Sequence, residues 1–366
     1  MVIPSNVLKK YECYSNNTNT KSEGEARNIY HKPATSTGGS RRDQLLAMKV
    51  LVSLNFPDAG IDMLRKKGMQ LTVWTDDIPM TREQLLLASR EHDILWSSSI
   101  YTIDAPFLEA NRHLKLISQF AAGYNNIDTN KARALGIQVA NTPDAMADAT
   151  ADIAFGLLLT VSRKMFFMHK RILSNKWGAF RPRAHLGMEL RGKTVGIIGM
   201  GRIGTEFARR CLGAYGMKVL YHNRSRNREA EKSLKATYVS LAELLHQSDI
   251  VSVHAALTEE TRELMNRGAF SKMKPTAIFI NTARGGIHNE PDLIEALQKG
   301  IIWGAGLDVT NPEPMKADNP LLFMENVAVT PHIGSATVEA RNEMSRLAAM
   351  NILQYIRGEA ITNRIV

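Results

Sequence analysis

The sequence predicts an α/β fold of two doubly wound parallel sheets, on three observations. From Met48 onward, short apolar runs alternate with helical stretches, as strands do when helices cover both faces of a parallel sheet. The alternation runs through two successive series, and 366 residues suit two domains. One glycine-rich turn, GMGRIG at 199–204, stands directly between an apolar strand and a helix.

Residues 1–47 come first and differ from the rest. SNNTNTKSEGEA and KPATSTGGSRR are polar, rich in Gly and Ser, and lack an apolar period, which predicts a disordered extension. Glu12, Glu23 and Glu25 interrupt the acid-poor pattern of a transit peptide, so a cytoplasmic location is expected, with mitochondrial import as the alternative. Met48 opens MKVLVSL and is a second candidate start. The first series then has strands at 49–54, 93–97 and 114–120, and an apolar helix at 152–163. The second series has strands at 194–199, 218–222, 249–254, 277–281, 304–309 and 327–330. A last helix carries Met344, Leu347, Ala348, Ile352 and Tyr355 at three- and four-residue steps, one apolar face.

Composition excludes several classes. The chain is 44% hydrophobic and 22% charged, ordinary for a soluble globular protein, and no apolar run nears the ~18 residues of a membrane span. Cys13 and Cys211 are the only cysteines; they offer neither a disulfide framework nor metal-ligand spacing, which suits a reducing compartment. Cys211 is expected to be buried. The net charge of +10 is dispersed, without a basic block interleaved with aromatics, so small anions are expected as partners rather than nucleic acid.

The chemistry gathers at the carboxyl ends of the second series, where open α/β sheets take their ligands. In GMGRIG, Gly199 permits the tight turn, Gly201 lets backbone approach a pyrophosphate, and Gly204 packs helix on strand. The unpaired N–H groups of the helix start, at Arg202 and Ile203, then face the phosphates. The next strand ends YHNRSR (221–226), with no Asp or Glu to bind a ribose 2′-hydroxyl. Asn223 is neutral, and Arg224 and Arg226, with Ser225 between them, could hold a 2′-phosphate. NADP(H) is therefore expected over NAD(H), with a solvated basic turn as the plain alternative. Arg284, leaving a strand in NTARGG, can present its fork to a carboxylate and an adjoining carbonyl. His332 in TPHIGSAT can protonate a developing alkoxide, and Glu313 in DVTNPEP can hold its tautomer. Singly, the histidine could be structural and the glutamate a solvated turn residue.

Together, GMGRIG, NTARGG, LDVTNPEP and TPHIGSAT resemble, in order and spacing, the D-isomer-specific 2-hydroxyacid dehydrogenases, over everything from about Met48 to the C-terminus. DATADIAFGLLL, PLL and PHIGSAT are most similar to the glyoxylate and hydroxypyruvate reductase branch. The resemblance implies a flavodoxin-like substrate domain (48–149 with 336–366) and a Rossmann dinucleotide-binding domain (150–335), hinged around a cleft, in a homodimer. It implies that Arg284 binds and polarises substrate, His332 is the acid/base and Glu313 orients it. Ala122 and Gly123, in QFAAGYNNID, would grip the substrate carboxylate through backbone N–H groups. The cofactor residues implied are Gly199, Gly201, Arg202, Ile203, Gly204, Asn223, Arg224, Ser225, Thr282 and Asp308, the last for the nicotinamide carboxamide; no metal is implied. One departure is Phe180, where the animal enzymes of this branch tend to have a second tryptophan after the one at Trp177. A 2-ketogluconate reductase, or a non-catalytic corepressor-like dinucleotide sensor on the same fold, is the alternative. Formate dehydrogenase relatives pair the histidine with an amide, against Glu313, and long phosphoglycerate dehydrogenases add a C-terminal domain for which there is no room.

Overall fold

Lys49 begins the first strand of a computed structural model that describes residues 48–366; the disordered extension expected over 1–47 lies outside them. The first sheet comes from β1 (Lys49–Val52), α1 (Asp58–Arg65), β2 (Gln70–Val73), α2 (Arg82–Ser89), β3 (Ile94–Ser98), α3 (Ala105–Ala110), β4 (Leu116–Phe120), α4 (Thr129–Ala134) and β5 (Gln138–Ala140). Two helices follow, α5 (Ala147–Ser162) and α6 (Met165–Leu173). The second sheet comes from β6 (Thr194–Ile198), α7 (Arg202–Tyr215), β7 (Lys218–His222), α8 (Arg228–Leu234), β8 (Thr237–Tyr238), α9 (Leu241–Gln247), β9 (Ile250–Val253), α10 (Arg267–Phe270), β10 (Ile278–Asn281), α11 (Glu290–Gln298), β11 (Gly304–Leu307) and β12 (Val327–Val329). The chain returns through α12 (Val338–Arg357).

Both sheets are parallel, ordered β2-β1-β3-β4-β5 and β12-β11-β10-β9-β6-β7-β8. The inner strands β3, β4, β9, β10 and β11 are buried throughout, because helices cover both faces and the branched apolar runs have no solvent side. In the second sheet the order turns back at β6, which lies between β7 and β9. A crevice opens at such a switch point, outside the carboxyl ends of the strands.

Strands β2, β5 and β8 were not expected. β2 alternates exposed and half-buried residues, β5 has three residues and β8 two; all lie at sheet edges, where one partner suffices and the apolar run is short. Helix α5 starts at Ala147 and not at Asp152. Its first turns are tied by polar contacts that an apolar period does not register: Arg210 bonds Asp148 and Asp152 at 3.0 and 2.6 Å, and the Thr150 hydroxyl donates to the Gly334 carbonyl at 3.1 Å. α5 packs on α7, β10, β11 and β12. Cys211 is fully buried, which raises its thiol pKa.

α12 packs on α1 and β4 of the first sheet. Met344, Ala348 and Ile352 share a core with Val50, Trp96 and Leu116. The fit at α1 is close: Gly60 N–H donates to Ser345 Oγ at 2.9 Å, and a Cβ on Gly60 would stand 2.1 Å from the Ser345 carbonyl oxygen. The last residues add a short antiparallel strip to β5, with Asn141 N–H donating to Asn363 O and Ile365 N–H to Val139 O.

Candidate active site

At the switch point, Gly199 takes φ +96°, and a Cβ there would meet Ala255 N at 2.6 Å; only glycine suits both the dihedral and the contact. Gly204 lies in the first turn of α7 with its Cα toward β6, where a Cβ would stand 2.4 Å from the Gly199 carbonyl. Gly201, the N-cap of α7, has no neighbour within 4 Å of a Cβ position, so backbone and helix start are open on that side. A cleft of about 280 Å³ lies there, lined by Pro143, Asp144, Gly201, Arg202, Ile203 and His254. Arg202 pairs with Asp144 and so connects the glycine turn to the segment leaving the first sheet.

Beyond β7, Asn223 turns inward: its Oδ1 accepts from Met200 N–H at 2.6 Å and braces the glycine turn. Arg224 and Ser225 are exposed, and Arg224 forms no ion pair among the described residues. Arg226 is committed. Its Nε and Nη2 donate to the two Glu231 oxygens at 2.8 and 3.0 Å, and it lies 5.6 Å over the Tyr238 ring. Arg226 and Tyr221 hold the Glu231 carboxyl down to about 2. Of the two arginines expected at a 2′-phosphate, Arg224 is the one left without a partner.

Around β10 and β11 the remaining groups converge. Thr282 is 7% exposed and its hydroxyl has no partner among the described residues, a buried polar atom that calls for one. Arg284 donates through Nε to Asn125 Oδ1 at 3.1 Å and through Nη1 to Ala283 O at 2.7 Å. Its guanidinium rests on Gly123, where a Cβ would stand 1.9 Å from Nη2. The loop after β4 of the first sheet and the end of β10 of the second thus meet in one arginine. Neither Ala122 nor Gly123 gives its N–H to another described residue. Burial lowers the Arg284 pKa and Glu313 partly restores it, so the two charges lie within each other's field.

His332 Nδ1 meets Glu313 Oε2 at 3.0 Å, and Glu313 Oε1 accepts from Thr310 N–H at 3.0 Å. Burial raises the Glu313 carboxyl, but bonds from His332 and Thr310 outweigh it, and the group ends below its ordinary value. An ionised Glu313 can only accept, so the Nδ1 hydrogen belongs to the histidine and Nε2 is the nitrogen free to exchange a proton. His332 has φ +53°, a left-handed backbone held by Asp308. The Asp308 carbonyl accepts from His332 N–H at 2.9 Å, and its carboxylate accepts from Ile333 N–H and Thr330 Oγ1 on one oxygen and Gly334 N–H on the other. Asp308 is 1% exposed, and burial raises its pKa despite these bonds.

The arrangement thus joins a guanidinium at Arg284 that could seat an anion, an imidazole bonded to a carboxylate that could exchange a proton, and a glycine turn at a helix start. The open face of Gly201 and the Thr282 hydroxyl, unpartnered among the described residues, fit a dinucleotide running from the turn toward Arg284 and His332. Sequence reasoning passed over Asn125 and Asp144, whose partners Arg284 and Arg202 lie in distant segments, and Thr310 and Asn281, whose partners lie a few residues on in the same loop.

Fold and site define a nicotinamide-dinucleotide-dependent oxidoreductase, and comparison with known proteins places it. The profile of the D-isomer specific 2-hydroxyacid dehydrogenase NAD-binding domain matches residues 155–334. The chain is similar to the glyoxylate reductase of Korarchaeum cryptofilum, 39% identical over 87% of this chain and 95% of that one. It is 42% identical to the glyoxylate reductase of Pyrococcus furiosus over 85% and 93%. Among solved structures it is similar to a Thermus thermophilus protein, with a TM-score of 0.80, 38% identity and coverage of 87% and 100%. It is also similar to the NADPH-dependent glyoxylate/hydroxypyruvate reductase of Sinorhizobium meliloti in complex with NADP and malonate, with a TM-score of 0.74, 31% identity and coverage of 87% and 97%. The chain belongs to the D-isomer-specific 2-hydroxyacid dehydrogenases. It is an NAD(P)-dependent enzyme of small 2-oxoacids. No described helix is long and apolar enough to cross a membrane.

Proposed function

We propose that this enzyme reduces glyoxylate to glycolate and hydroxypyruvate to D-glycerate, with NADPH preferred to NADH. The observation that carries the reading is the bond of Glu313 to His332 in a loop packed against the exit of β10, where Gly285, next to Arg284, has no room for a Cβ before the Thr310 carbonyl, so that proton donor and anion seat belong to one site. Its relatives' names supply the substrates. The bound nicotinamide supplies the hydride. Gly199, Gly201, Arg202, Ile203 and Gly204 would hold its pyrophosphate, Asn223 through the turn it braces. Arg224 and Ser225 would take the 2′-phosphate, and Thr282 and Asp308 the nicotinamide end. Ala122 and Gly123 grip the substrate carboxylate through their N–H groups. Arg284 binds carboxylate and carbonyl oxygen and stabilises the negative charge that grows on the latter. His332 gives that oxygen a proton from Nε2, and Glu313 steadies the ring throughout.

The substrate domain comprises 48–149 with 336–366 and the dinucleotide domain 150–335, with hinges where the chain crosses between them. Closure of the cleft on substrate would exclude water. A homodimer fits the apolar side chains of α6 and the segment after it: Leu173 is 75%, Trp177 73% and Phe180 91% exposed. Phe180 would reach the neighbouring cleft, and unchanged Michaelis constants for every 2-oxoacid in Phe180→Ala would remove that role. The cytoplasm suits the cysteine usage.

The test is the initial rate of NADPH and NADH oxidation with glyoxylate, hydroxypyruvate, pyruvate and 2-ketogluconate, with His332→Ala and Arg284→Ala alongside. Fast turnover of glyoxylate or hydroxypyruvate with NADPH is expected. His332→Ala should lower kcat by about 10²–10⁴-fold, and Arg284→Ala should lower kcat and raise KM together, costing on the order of 10²-fold or more in kcat/KM. Preference for 2-ketogluconate would change the substrate, and absence of turnover with every pair would overturn the reductase.

A further inference from the structure

We infer that His288 is a positioning residue for Arg284, acting through the side chain of Asn281. The inference rests on the reading of Arg284 as the group that binds the substrate carboxylate.

Asn281 closes β10 and is fully buried. Its Oδ1 accepts from Ala283 N–H at 3.0 Å. Its Nδ2 donates one hydrogen to the Arg284 carbonyl at 2.9 Å and faces His288 Nδ1 at 3.0 Å. The orientation of the amide follows from the first bond, since only the oxygen can accept from a backbone N–H. Nδ2 then has a second hydrogen to place, and His288 Nδ1 is its acceptor. That requires His288 to be neutral with its ring hydrogen on Nε2. Burial favours the neutral form and lowers the pKa to about 4.

The cost of this arrangement argues for its purpose. His288 is 1% exposed, its ring packs against Phe279 at 5.9 Å between centroids, and its Nε2 has no hydrogen-bond partner among the described residues. An apolar side chain would fill the same space without an orphaned ring N–H, so packing alone does not account for a histidine here. Nδ1 does. It completes the bonding of the side chain that ties the peptide before Ala283, through the Ala283 N–H, to the peptide after Arg284, through the Arg284 carbonyl, and so spans the two residues that set the arginine. The tolerance is small, because the guanidinium must settle on Gly123 with no room for even a Cβ between them. A loosened Asn281 lets the loop rotate, and the fork of Arg284 then leaves the plane in which it meets both the carboxylate and the carbonyl oxygen.

The experiment compares His288→Leu, which keeps bulk and removes the acceptor, with His288→Asn, whose Oδ1 is attached at Cγ as Nδ1 is. Each is assayed with glyoxylate and NADPH and followed by thermal unfolding, with Asn281→Ala and Arg284→Ala in parallel. His288→Leu should raise KM for glyoxylate about tenfold and leave KM for NADPH within about twofold, and His288→Asn should recover most of the loss. Wild-type KM for glyoxylate in His288→Leu, or equal impairment in His288→Asn, overturns the inference. If His288→Leu does not fold, Asn281→Ala decides: a raised KM for glyoxylate alone supports the relay, and an unchanged one overturns it. Arg284→Ala separates the two readings, because an unchanged KM there removes the carboxylate role itself, whereas a raised KM beside an inert His288→Leu removes only the relay.

Discussion

His288 also ties the stability of the protein to pH. Its folded pKa of about 4 lies below the ~6.5 of an unfolded histidine, so between those values the unfolded chain holds a proton that the native chain does not. Stability from this group is complete above the unfolded value and is lost as pH falls toward the folded one. Urea midpoints measured from pH 7 to 4 should fall, and the slope should be smaller in His288→Leu by up to about 1.4 kcal/mol per pH unit. An identical slope in both proteins would exclude His288 as the source. At this scale, Arg284, Glu313 and His332 were legible in the sequence because each stands in a short run whose composition suits strand exit and chemistry together. Asn125 was not, since its partner Arg284 lies 159 positions away, and Asn281 and Thr310 were not, since local turn bonds to a backbone N–H or carbonyl leave no mark in composition. Arg226 looked equal to Arg224 until Glu231, on the helix that follows, was seen to hold it.

Elements set the limits on which substitutions the molecule can absorb. Gly60→Ala would drive a methyl into the Ser345 carbonyl, 2.1 Å from the Cβ position, and force α1 and α12 apart. A loss of roughly 1–3 kcal/mol is expected, read as a lowered thermal midpoint with cofactor affinity unchanged. The loop after β7 makes the opposite case. Arg224 is exposed and unpaired among the described residues, so Arg224→Ala should leave the midpoint alone and raise KM for NADPH while sparing KM for NADH, by about tenfold or more if a charge-assisted contact is lost. Equal effects on both cofactors would assign 2′-phosphate recognition elsewhere. The longer strands of the second series were legible because each is a buried apolar run between turn signals. The edge strands β2 and β8 were hidden by half exposure and β5 by its brevity, and the first turn of α5 by the small polar residues that bind Arg210 and Gly334.

At the scale of the whole molecule, the strip formed by the last residues guards the edge of the first sheet. Removing residues 361–366 would leave the N–H of Asn141 and the backbone groups of Val139 without their partners and uncover the apolar contact of Ile361, which is 7% exposed. A fall of roughly 5–10 °C in the thermal midpoint is expected, and an unchanged midpoint would show the strip to be ornamental. The larger consequence concerns manufacture. Gly60 and Ser345 bond across 285 positions, so during synthesis the half made first stays bare on its α12 face while the ribosome completes the nucleotide-binding sheet. That sheet can close as it emerges, but its elder neighbour must wait for the tail of the chain to clear the exit tunnel. The early half is therefore the part of this protein that would need a chaperone, and stalled or shortened translation should harm it first.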